Sequence, residues 1–265
     1  PKRTIMKRFF SLFAIACIIS LFVGCSSSTS KKSLGYKHYV GPDRVLVLLL
    51  PPMGGKGSHY ETHGFVEAVR EKGFEADLKI LDVKPIYYFQ GRIIELVKNE
   101  LVDPAKASGY ERLILVGTSL GGHGALLYIN QYPEDVDGVV LLAPFLGWSR
   151  VADAVEKAGG LKKWEDCPAL EWDYACEMWK LLKDCVSDPQ RPGTIILGYG
   201  TEDGFAQHNS ILAKELPPRN VFKVTGGHDW VTWKRLWIEV LEYFHINCSQ
   251  TGEETCLIEI KRVTD

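Results

Sequence analysis

Ser119, Asp203 and His228 are far apart in the chain, yet they have the residue types and the order that nucleophilic catalysis needs. A serine hydroxyl is a weak nucleophile unless a base takes its proton during the attack. Histidine suits that task because its pKa lies near neutral pH, and a carboxylate can hold the imidazole tautomer and stabilise its charged form. Ser119 lies in Gly117-Thr118-Ser119-Leu120-Gly121, where an apolar β-like run, 112–116, gives way to a helix-like run, 122–132. A serine between two glycines at a sharp strand-to-helix turn reads as a nucleophile elbow, since flanking side chains would clash there. Glu202 is the alternative acid, and Asp229 reads first as the cap of the helix that follows it.

The elements that must position these residues alternate along the chain. Strand signals fall at 45–50, 76–83, 112–116, 139–142, 194–197 and 221–224. The run Val45 to Leu50 is apolar at every position, as in a parallel strand covered on both faces. Helix signals fall at 61–72, closed by Gly73, and at 86–101, 122–132 and 230–244. Such β-α repetition predicts a mostly parallel sheet with helices on both faces and active residues beyond the carboxyl ends of the strands. Ser119, the 201–204 loop with Asp203, and Gly226-Gly227-His228 all fall at such ends.

An attacked carbonyl becomes an oxyanion and needs preorganised N–H donors. The backbone N–H of Leu120, opening the helix after the serine, is one candidate. The second should come from Leu50-Pro51-Pro52-Met53-Gly54-Gly55, where the prolines have no N–H, so Met53 is the first possible donor and Gly54 the fallback.

Between 147 and 192 the alternation stops, with helical patterns at 153–157 and 174–183, which predicts an inserted helical lid. Its Trp148, Trp164, Trp172 and Trp179 either pack the insertion onto the body or line an acyl pocket. Trp230, Trp233, Trp237 and Leu241 recur at helical spacing and read as core, and His123 reads as structural. His59 and His63, near the oxyanion loop, read as exposed loop residues that could touch a substrate.

With 31 Lys+Arg against 33 Asp+Glu, the chain lacks the basic excess of a nucleic-acid binder. Lys2, Arg3, Lys7 and Arg8 precede an uncharged apolar run, 9–23, of about 15 residues, too short for a membrane span. Residues 1–24 therefore read as a signal peptide, with Met6 as the start. Phe22-Val23-Gly24-Cys25 resembles the lipobox of bacterial lipoproteins, which implies lipidation of Cys25 and an envelope location on a membrane. Residues 25–43 read as a tether, 44–245 as the folded domain and 246–265 as a tail. Among the cysteines, Cys248 with Cys256 and one pair from Cys167, Cys176 and Cys185 are expected as disulfides. No metal-ligand spacing is present, and no cofactor is expected.

Thr118-Ser119-Leu120-Gly121-Gly122-His123-Gly124 and Gly226-Gly227-His228-Asp229-Trp230 are similar to segments of α/β-hydrolases on the esterase and lipase side of that superfamily, over about 44–244. The resemblance implies the α/β-hydrolase fold, the triad Ser119, Asp203 and His228, and a small-molecule ester substrate cleaved through an acyl-enzyme. Pro51-Pro52 stands where the family has His-Gly, and alignment there assigns Met53 as the first oxyanion donor. The short stretch before Arg44 predicts a reduced sheet of about six strands. A thioesterase, a peptidase or amidase with the same triad, and a non-catalytic binding lipoprotein remain the alternatives.

Overall fold

The computed structural model describes residues 34–165, 167, 174–188 and 195–251. The leader, Cys25, the chain up to Ser33, Trp172, Cys256 and the side chain of Cys248 lie outside the described residues. Seven strands form one sheet: β1 (Gly35–Tyr39), β2 (Val45–Leu50), β3 (Asp77–Asp82), β4 (Arg112–Thr118), β5 (Gly138–Leu142), β6 (Ile195–Gly200) and β7 (Val221–Val224). Their spatial order is β1-β3-β2-β4-β5-β6-β7, and all neighbours are parallel except β1 with β3. Every residue of β2, β5 and β6 is buried, which is why those segments are apolar without alternation.

Strand β1 corrects the expected tether and the expected six-strand sheet. Its sequence, Gly-Tyr-Lys-His-Tyr, is exposed along most of its length, so an edge strand forms there without an apolar pattern to announce it. The helix expected at 61–72 is two helices, α1 (Gly57–Thr62) and α2 (Phe65–Glu71). Gly64 separates them with φ 75°, a left-handed conformation that a residue with a Cβ adopts only at a cost. The run expected at 86–101 is also divided, into α3 (Pro85–Phe89) and α4 (Arg92–Val97), which continues through a π-helical turn at Lys98–Val102 into α5 (Asp103–Ala107).

Helix α6 (Leu120–Gln131) follows β4 directly. The excursion after β5 contains α7 (Ser149–Lys157) and α8 (Tyr174–Ser187), with a disulfide between Cys167 and Cys176. Trp164 and Trp179 are buried in the common core, whereas Trp148 is 63% exposed. Helix α9 (Ala206–Ala213) follows the 201–204 loop, and α10 (Trp230–Thr251) runs past the predicted end at 244. Trp233, Trp237 and Leu241 are buried on α10, and the Trp237 indole N–H donates to the Phe65 carbonyl at 3.2 Å.

Candidate active site

Parallel registration brings the carboxyl ends of five strands level. Leu50 pairs with Gly117, Thr118 with Leu142, Leu142 with Gly198, and Gly200 with Val224. Ser119 leaves β4 with φ 51° and ψ −114°, a conformation few non-glycine residues adopt. The elbow is held by its own backbone. Ser119 N–H donates to Leu142 O at 2.9 Å, and Ser119 O accepts from Gly122, His123 and Phe145 at 2.9–3.2 Å.

The flanking glycines are needed for space. A Cβ on Gly121 would lie 2.0 Å from Leu50 O, and one on Gly117 would lie 2.5 Å from Gly121 O. No side chain fits, so the nucleophile helix starts directly against the end of β2.

His228 Nε2 lies 2.8 Å from Ser119 Oγ, and His228 Nδ1 lies 2.7 Å from Asp203 Oδ2. Asp203 is buried and its other carboxylate oxygen accepts the Phe205 N–H at 2.7 Å. With both oxygens engaged, the carboxylate is held in one direction, facing the histidine. Glu202 is exposed, which leaves Asp203 as the acid that meets the histidine. The two loops dock through glycine again: a Cβ on Gly200 would lie 2.2 Å from Gly226 O. Thr201 N–H to Val224 O and Glu202 N–H to Gly226 O, at 2.9 and 3.0 Å, join them. Phe205 and Trp233 pack edge-on around the His228 ring at 5.1 and 4.9 Å between centroids.

Asp229 caps α10, its Oδ1 accepting the Thr232 N–H at 2.9 Å. In the loop after β2, Gly55 N–H donates to Pro52 O at 2.9 Å and Gly54 has φ 68°, a tight turn with Met53 at its second position. Neither the Met53 N–H nor the Leu120 N–H has an acceptor among the described residues. His123 is 1% exposed, and burial pushes its pKa down to about 4, so the imidazole is neutral in the interior. His59 belongs to α1 and His63 caps it. Both are half-buried against Trp230, His63 stacked flat at 4.7 Å, rather than exposed in a loop.

The sequence did not point to Phe145, Phe205, Tyr60 or Tyr88, which surround these groups. Single aromatic residues carry no spacing signal, and only the folded contacts reveal them.

Among the described residues no group of His, Cys, Asp or Glu could hold a metal ion. The family described as Serine aminopeptidase, S33 (Hydrolase_4) matches residues 97–208, a segment that includes Ser119 and Asp203. No curated protein matches the chain. In fold, the chain is similar to a monoacylglycerol lipase of Paleococcus ferrophilus, with 18% identity, TM-score 0.53, and coverage of 80% of this chain and 99% of that one. It is similar to an α/β-hydrolase enzyme from the metagenome of Mar Chica lagoon sediments in Morocco, with 19% identity, TM-score 0.55, and coverage of 84% and 98%. It also resembles the fluorophosphonate-binding serine hydrolase F of Staphylococcus aureus, with 15% identity, TM-score 0.52, and coverage of 83% and 88%. The seven-stranded, mostly parallel sheet with an elbow serine after its central strand is the α/β-hydrolase fold, and the family match at 97–208 runs across that strand.

Proposed function

We propose that the protein is a serine esterase that cleaves small carboxylic esters through an acyl-enzyme. The observation that carries this reading is the continuous contact from Ser119 Oγ to His228 to Asp203, at 2.8 and 2.7 Å. Ser119 Oγ attacks the ester carbon as its proton passes to His228 Nε2. The carbonyl oxygen takes the negative charge, and the N–H groups of Leu120 and Met53 are assigned to it. Collapse of this intermediate expels the alcohol, which receives the proton from His228. Water then repeats the attack on the acyl group with His228 as base, and the free acid leaves. Asp203 keeps Nδ1 protonated and stabilises the imidazolium at each stage.

Exposure of the mature protein to a fluorophosphonate and to p-nitrophenyl esters tests this function. Labelling is expected at Ser119, and Ser119→Ala should lower turnover by about 10⁴-fold or more. Absence of labelling, with turnover unchanged in Ser119→Ala, would end the reading. The description of the matched family favours including aminoacyl-p-nitroanilides, and an acyl thioester belongs in the same panel. Faster turnover of either would move the assignment to a peptidase or a thioesterase, since attack on all three carbonyl types needs the same elbow.

The reading includes attachment to a membrane of the bacterial envelope through Cys25, supported by the basic start, the apolar run and the lipobox-like end of the leader. Among the described residues no helix is long and apolar enough to cross a membrane. Metabolic palmitate label that disappears in Cys25→Ser is the expected result; equal label in both proteins would refute the anchor.

A further inference from the structure

Two buried tyrosines hold the carbonyls that lead into the oxyanion loop. Tyr60, on α1, is 0% exposed, and its hydroxyl lies 2.8 Å from Leu50 O and 2.8 Å from Thr118 Oγ1. A carbonyl can only accept, so the single Tyr60 proton goes to Leu50 O, and the Thr118 hydroxyl supplies its own proton to the Tyr60 oxygen. Leu50 ends β2, three residues before Met53. Thr118 ends β4, one residue before Ser119.

Tyr88, on α3, is 1% exposed and its hydroxyl donates to Pro51 O at 3.1 Å. Its ring also occupies the space beside Gly124 on the nucleophile helix, where a Cβ would lie 2.5 Å from Tyr88 Cε1. The carbonyls of Leu50, Pro51 and Pro52 are therefore each engaged, by Tyr60, Tyr88 and the Gly55 N–H. Pro51 and Pro52 have no N–H to compete, and the next N–H along the chain is that of Met53.

We infer that Tyr60 and Tyr88 are positioning residues that clamp the oxyanion loop to the nucleophile elbow, fixing the Met53 N–H relative to Ser119 and Leu120. The inference rests on the hydrolase reading above for its catalytic part. Charge stabilisation of this kind depends on donors fixed before the charge appears, and displacement by a fraction of an ångström weakens it. A turn containing Gly54 and following two prolines has little of its own structure to fix it against the elbow. Burial pushes both phenols well above their ordinary pKa, so both stay protonated donors at any working pH.

Tyr60→Phe and Tyr88→Phe remove one hydroxyl each and keep the rings, and either variant alone suffices if the other does not fold. Each is expected to lower kcat on a p-nitrophenyl ester about tenfold, with KM within about twofold and an unchanged pH profile, because the loss falls on the transition state and spares the triad. Amide hydrogen exchange at Gly55, whose N–H closes the turn on Pro52 O, is expected to speed up in both. Unchanged exchange at this amide overturns the clamp. So does a fall in kcat no larger than the loss of folded protein. If the wild-type protein does not react with a fluorophosphonate, the hydrolase reading fails by itself, and the exchange measurement still decides the clamp.

Discussion

Asp203 and Glu202 are neighbours with the same charge, and only their surroundings separate them. Asp203 is buried with both carboxylate oxygens bonded, whereas Glu202 points to solvent. His123 shows the same dependence on surroundings. One turn along from Ser119, it is buried and kept neutral with a pKa of about 4, below the ordinary 6.5. The unfolded chain takes up that proton more readily, so folding is unaffected above about pH 6.5 and loses stability as the pH falls from there towards 4. The loss attributable to this one group approaches about 3 kcal/mol at the acid end. Urea unfolding at pH 4.5 and 7 should show a smaller pH difference in His123→Gln than in the wild type. An equal difference in the two proteins would mean that His123 titrates normally. The sequence suggested that His123 is structural, but the burial that makes it pH-sensitive belongs to the packing.

At the scale of elements, the strands were easier to read than the helices. Strands β2 and β7 have the expected bounds: the apolar run of β2 stops at Pro51, and Val221 to Val224 stops just before the Gly226-Gly227 loop. Helices α1 to α5 were read as two long ones, since buried positions such as Ile93 and Val97 keep a helical spacing and the breaks that precede α2 and α4 are made by single glycines. Gly64 and Gly91, with φ 75° and 66°, make those breaks, and a glycine inside an apolar period carries little warning. Gly121 has a different role: its missing Cβ lets α6 begin against β2. Gly121→Ala should therefore push the elbow away from Leu50 and abolish fluorophosphonate labelling of Ser119, even in protein that retains a cooperative melt. Labelling at the wild-type rate would show that the contact can relax at no cost to the site.

For the whole molecule, the order of serine, acid and histidine, the apolar strands and the two glycine-flanked loops determined the fold and the three side chains that meet. These are local patterns, set by backbone space and by burial on both sheet faces, so a single sequence carries them. The edge position of β1 depended on pairing with the distant β3, and the choice of Cys176 over Cys185 as the partner of Cys167 depended on which sulfurs the fold brings together. Tyr60 shows this most clearly, because its value lies in a hydroxyl that meets Leu50 and Thr118 from positions 10 and 58 residues away. Sequence patterns record which side of an element is apolar. They do not record which buried hydroxyl meets which carbonyl, because the distance between those atoms exists only once the sheet has closed around them.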